Sequence, residues 1–137
     1  MTYLKNLQYI KTWLALGLLW VAIVFTVSLY PSPPDLSSLT FADKIVHSLS
    51  YFFLMFWFLQ IVKEKAQTLT ALLLISMGVI IEILQGLSGY RTFDYYDMLA
   101  NTFGVLVAWP LKRAGIAHMI SKLESRMLKT AAHRINE

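Results

Sequence analysis

The chain has 137 residues, of which 57% are hydrophobic and only 15% charged, and its mean hydropathy is +0.56. A soluble domain of this length carries roughly a quarter charged residues, so this chain has too few polar side chains to coat a globule; disorder, a coiled coil and a nucleic-acid-binding module are disfavoured by the same arithmetic. The net charge is +4 and there is no cysteine, which excludes disulfides, thiolate zinc and cysteine nucleophiles.

In chain order, the first apolar segment runs from about Thr12 to Leu29 and stops at Tyr30-Pro31. Lys5 and Lys11 precede it, but no Ala-x-Ala site follows, so it reads as a retained helix rather than a cleaved signal. Pro31-Ser32-Pro33-Pro34 is a stiff connector. The second segment spans about 45–62 and the third about 68–87, and the loop 63–67 between them makes the two antiparallel neighbours. The fourth, about 95–111, carries Pro110 and covers only roughly 25 Å. None alternates as a barrel strand does, and each approaches the ~20 residues that cross a hydrocarbon core. The fold class expected is all-α: a polytopic membrane protein with four transmembrane helices in a compact bundle, forming one unit over 1–111. The tail 112–137 reads as a basic amphipathic helix, with Ile116, Ile120, Leu123, Met127 and Ala131 on one stripe and Lys122, Arg126 and Lys129 on another. Such a helix lies on an anionic leaflet.

Lysine and arginine set the orientation. With four spans, the N-terminus, the 63–67 loop and the tail share one side and hold ten of the twelve bases; Lys44 and Arg91 lie on the other. The positive-inside rule then places both termini in the cytoplasm. Tyr30, Phe41, Tyr90, Tyr95 and Tyr96 fall at the outer interface, and Tyr9, Trp13 and Trp109 at the inner one.

Ionisable groups inside a membrane are costly and need a reason. Asp43, His47 and Tyr51 follow each other at four-residue steps on helix two, with Lys44 and Ser50 beside them, while Phe52, Phe53 and Phe56 point elsewhere. Glu82 and Gln85 lie on helix three, along a side with Ala71, Gly78 and Gly89. On helix four, Asp94, Asp97, Asn101, Gly104 and Ala108 step by three and four, as a helix-packing seam does. Topology gathers these positions at the outer end, where Asp43, Lys44, His47, Tyr51, Glu82, Gln85, Arg91, Asp94, Asp97 and Asn101 line one cavity. With Asp35, that side carries five acids against two bases, which suits a cation, an amine or a donor-rich sugar or peptide. The inner halves of the helices are apolar, which argues against a continuous ion path.

Structural readings stand beside these. Arg91 can pair with Asp94 or Glu82, Asp94 and Asp97 can cap helix four, and Asn101 can clamp two helices. His47 can be a satisfied interior histidine, and a protonated Glu82 can bond Gln85. No His-Glu-x-x-His, Walker or Gly-x-Ser-x-Gly motif is present. Among catalytic candidates, His47, Glu82 and Asp97 are the residues to name; a metal on these three is weighed and not expected, nor is a cofactor.

The series Asp43-Lys44-x-x-His47-x-x-x-Tyr51, Glu82-x-x-Gln85 and Arg91-x-x-Asp94-x-x-Asp97-x-x-x-Asn101-x-x-Gly104 resembles the VanZ-like family of small bacterial integral membrane proteins, over about residues 15–111. Two departures stand out: no proline precedes Arg91, and Ala108 stands where a second glycine is common. The resemblance implies a protein of poorly defined biochemistry, whose founding member is associated with low-level resistance to glycopeptides such as teicoplanin. The partners expected are membrane lipid and a cell-envelope component, such as a cell-wall precursor, or an amphiphilic antibiotic, with no nucleic acid. Two alternatives stand: an envelope-modifying enzyme acting on a lipid-linked substrate through His47 with Glu82 or Asp97, and a structural or assembly subunit of an envelope or polysaccharide system.

Overall fold

The computed structural model describes residues 3–31, 40–89, 91, 93–114 and 118–135, with side chains except at 40, 113, 114 and 131–135. Asp35, Pro33, Pro34, Tyr90 and Ile116, and the side chain of Ala131, lie outside the described residues. The described residues form five α-helices: α1 (Ile10–Ser28), α2 (Thr40–Ile61), α3 (Glu64–Leu87), α4 (Tyr95–Ala108) and α5 (Met119–Ile135), with a 3-10 turn, Trp109–Ala114, after α4.

Helices α1, α2 and α3 are long and apolar enough to cross a membrane. α4 is not: it has fourteen residues, or about 21 Å. The expected fourth span is cut short at Pro110, whose ring and missing N–H disfavour a continuing α-helix, and the chain tightens into the 3-10 turn. The link between α2 and α3 is also tighter than the expected five-residue loop. Only Val62 and Lys63 separate the helices. Residues 3–5 close over this corner, with Lys5 N–H donating to the Ile61 carbonyl at 2.8 Å and Lys63 N–H to the Tyr3 carbonyl at 2.8 Å. The Lys5 ammonium donates to the Leu59 carbonyl at 2.9 Å. Carbonyls that the end of α2 would leave open are thereby satisfied.

The core lies between α2, α3 and α4, built from residues such as Tyr51, Leu54, Met55, Leu59, Ala71, Leu74, Val105 and Ala108. α2 packs most extensively on α4. Gly104 makes this possible: a Cβ there would fall 2.1 Å from the Ser48 carbonyl oxygen and 2.9 Å from the Phe52 nitrogen. Small residues let helix backbones approach in this way. Asn101 and Ala108 flank Gly104 on the same buried face, as the spacing predicts. α1 packs more loosely. Gly17 is its one buried residue, facing the Trp57 indole, while Leu16, Leu19, Trp20 and Ile23 stay exposed.

The tail helix differs most from its sequence reading. Among its described side chains Ile120 and Glu124 are buried, whereas Leu123 and Met127 are exposed. Glu124, 4% exposed, accepts hydrogen bonds from Gln8 N–H at 2.8 Å, Tyr9 N–H at 2.9 Å and Trp13 Nε1 at 2.7 Å. Tyr9, at the start of α1, has no side-chain cap of its own, so Glu124 caps α1 from another helix. Trp13, read from the sequence as an interface anchor, is a partner in this cap. Gln60 fixes the other side of α5, its Oε1 accepting the Met119 N–H at 3.0 Å. Burial works against the Glu124 carboxylate, but the donors from Tyr9, Trp13 and Gln8 outweigh it and hold its pKa below the ordinary value.

Candidate functional site

Three helix ends meet at the polar end of the bundle. The start of α2 supplies Asp43, Lys44 and His47, with Tyr51 one turn deeper. α3 ends there with Glu82 and Gln85, and α4 begins there with Asp97 and Asn101. Just after α3, Gly89 takes φ 77°, a left-handed conformation that glycine adopts without strain. Asp94 caps α4, its carboxylate accepting the Tyr96 N–H at 2.8 Å.

Lys44 is the hub. Its ammonium donates to both Asp94 and Asp97 and lies 4.0 Å from Asp43. Asp97 is buried. Arg91 pairs with Asp43 at 4.0 Å, not with Asp94 or Glu82 as the sequence suggested. Both bases assigned to this end of the chain are thus engaged by its acids.

His47 bridges two helices. Its Nδ1 lies 3.2 Å from Asn101 Oδ1, and Nε2 lies 3.8 Å from Asp43 Oδ1 and 3.8 Å from Asp97 Oδ2. With Oδ1 as acceptor, Nδ1 carries a proton and Nε2 faces two carboxylates. The donor atoms of Asp43, His47 and Asp97 all lie within 4.8 Å of one another, a convergence of nitrogen and oxygen ligands in which a divalent cation could be held. The trio weighed from the sequence had Glu82 in place of Asp43.

Glu82 turns elsewhere. It is 1% exposed, and its Oε1 accepts the Asp94 N–H, tying α3 to the start of α4. Its Oε2 and the Tyr51 hydroxyl, both buried, have no hydrogen-bond partner among the described residues. Gln85 does not bond Glu82; its amide donates to the Ser28 carbonyl at 2.7 Å and fixes the end of α1. Gly78, one turn before Glu82, gives room to Asn101 and Tyr51: a Cβ there would lie 3.2 Å from Asn101 Nδ2 and 3.3 Å from the Tyr51 hydroxyl.

A cleft of about 250 Å³ lies between α1 and α2; of the ten residues expected to line one cavity, Asp43, His47, Tyr51 and Arg91 line it, and Lys44, Glu82, Gln85, Asp94, Asp97 and Asn101 are not among its lining residues. Asp43, His47 and Arg91 line one wall, and Trp20, Ile23 and Val27 the other. The cleft therefore has a charged face and an apolar face. Ser50 adds no free donor, because its hydroxyl is bonded to the Val46 carbonyl at 2.8 Å.

The sequence reading missed two polar residues that matter elsewhere, Gln60 and Glu124. Glu124 follows Ile120 by four residues and precedes Met127 by three, which puts an acid on the apolar face of α5. That placement is the signal that could have found it.

A model of the VanZ/LLP1 family matches residues 3–117, most of the chain. No curated protein and no solved structure matches it. The chain belongs to the VanZ/LLP1 family, and with three helices long and apolar enough to cross a membrane it is a VanZ-like membrane protein.

Proposed function

From this membership in the VanZ/LLP1 family, we propose that the protein sits in a bacterial cytoplasmic membrane with both termini inside, α4 and the 3-10 turn after it bringing the chain back to the inner side, and that the polar cleft faces the cell exterior. There it binds the head of an amphiphile, either a cell-envelope component or an amphiphilic antibiotic of the glycopeptide kind. One observation carries the reading: the cleft places Asp43, His47 and Arg91 opposite Trp20, Ile23 and Val27. A ligand with a cationic or donor-rich head and an apolar body matches both walls. The unpartnered Glu82 oxygen and Tyr51 hydroxyl add polar capacity behind that wall. Buried polar atoms are seldom left unbonded without a role.

The experiment compares Glu82→Gln, His47→Ala and Asp97→Asn with the parent in cells challenged with glycopeptides and other envelope-active compounds, and measures protein level and thermal stability in parallel. Loss of phenotype at normal protein level supports binding. Unchanged phenotypes in all three variants would rule the reading out. A fall in protein level alone would favour a structural or assembly role.

A second reading has its own observation. Asn101 orients His47 so that Nε2 faces Asp97 Oδ2 at 3.8 Å, the arrangement of a general base held by a neighbouring group. In this reading His47 works with Asp97 on a lipid-linked substrate, and Glu82 positions the turn. Product formation by the purified protein, with a pH profile altered by His47→Ala, distinguishes it from binding alone.

A further inference from the structure

A second groove lies at the opposite end of the bundle, where α5 crosses α1 and α2. Its volume is about 450 Å³. Trp13, Phe56 and Trp57 form its wall, and Lys122 and Arg126 of α5 stand at its rim. Phe56 and Trp57 also line the adjoining groove between α1 and α2, about 520 Å³, whose other lining residues include Leu16, Leu19 and Phe53. The two grooves share these aromatic residues, so an apolar channel leads from a basic rim along the membrane-crossing part of α1 and α2.

The docking of α5 produces this charge separation. Glu124 is the one acid within Met119–Ile135, and it is buried in the cap of α1. The basic side chains Lys122, Arg126 and Lys129 remain exposed. The indole N–H groups of the two tryptophans are engaged as well: Trp13 with Glu124 at 2.7 Å and Trp57 with the Trp13 carbonyl at 3.1 Å. What the groove presents is therefore ring faces and alkyl groups, with cations at one end. Basic pockets between membrane helices hold anionic lipid headgroups by this combination.

We propose that the groove between α1, α2 and α5 is a binding site for an anionic phospholipid. Lys122 and Arg126 hold its phosphate, and an acyl chain runs over Trp57 and Phe56 into the groove between α1 and α2. The phosphate end of the site lies apart from the polar cleft, whereas the groove that takes the acyl chain adjoins the cleft at Trp20 and Ile23.

Native mass spectrometry of the detergent-purified full chain tests this, with phosphatidylglycerol and phosphatidylcholine of identical acyl chains as probes. The expected result is at least a fivefold excess of phosphatidylglycerol adducts. Lys122→Gln combined with Arg126→Gln should lower these about tenfold, while Lys129→Gln, equally exposed but outside the groove, should leave them unchanged. Leu123→Trp, which fills the groove without changing charge, should also lower them. Glycerol 3-phosphate in excess should not displace the lipid. Equal binding of the two lipids would overturn the proposal. So would an unaltered preference in the double variant, an equal loss in Lys129→Gln, normal retention in Leu123→Trp, or displacement by glycerol phosphate.

Discussion

Two buried glutamates at opposite ends of the bundle have opposite surroundings. Glu124 receives three hydrogen bonds across its two oxygens, from Gln8, Tyr9 and Trp13. Glu82 receives one, from the Asp94 backbone, and its other oxygen has no partner among the described residues. A satisfied carboxylate fixes structure. An under-satisfied one near His47, Asp94 and Asp97 keeps bonding capacity in reserve. Burial alone does not separate the two roles, since Glu82 is 1% and Glu124 4% exposed; the census of donors does.

The largest expected effect tests the satisfied end. Glu124→Ala leaves three donors without their acceptor, and each buried donor so orphaned costs about 1–3 kcal/mol. Thermal or denaturant unfolding in detergent should show a loss of about 3 kcal/mol or more, with the polar cleft intact. A loss under about 1 kcal/mol would mean that α5 is held by something else. Gly104→Ala comes next. Its Cβ would meet the Ser48 backbone, which cannot rotate away, so α2 and α4 must separate, at about 1–3 kcal/mol. Because His47 and Asn101 sit on those two helices, the same change should weaken the site as well as the fold. Retention of both would show that the helices pack less closely than described. The smallest effect is on the acid side. The Glu124 pKa is held below the ordinary value, so its contribution is complete above the unfolded value of ~4.3 and is lost as pH falls through the folded value. Stability measured against pH should drop below ~4.3 in the parent, and Glu124→Gln should lack that component. An identical acid limb in both would remove Glu124 from the account.

Much of the polar end was legible before any coordinates. Asp43 and His47 lie one turn apart, and Asn101, Gly104 and Ala108 follow the three-and-four step of a packed seam. Helical periodicity is enough to place them on their faces. Partner choice was not legible. Arg91 goes to Asp43, and Gln85 reaches Ser28 across fifty-seven positions. Such pairings depend on how helices rotate against one another, which a single helix's spacing does not encode. The tail shows the same limit. Its basic and apolar stripes are visible in the sequence, but the docked face carries Ile120 together with the hydrogen-bonding acid Glu124, while Leu123 and Met127 of the same apolar stripe stay exposed. α4 is shorter than the expected 95–111, because the chain tightens into a 3-10 turn from Trp109, one residue before the proline that the sequence marks as the end.

Helix α1 is fastened at its two extremities: Glu124 holds residues 8, 9 and 13, and Gln85 holds the carbonyl of Ser28. Between those anchor points it has one buried residue, Gly17. A rod clamped at both ends and lightly seated along its length resists detachment far better than it resists bowing. The exposed Leu16, Leu19, Trp20 and Ile23 lie along that lightly seated stretch, so the groove they line is open at the surface with both clamps in place.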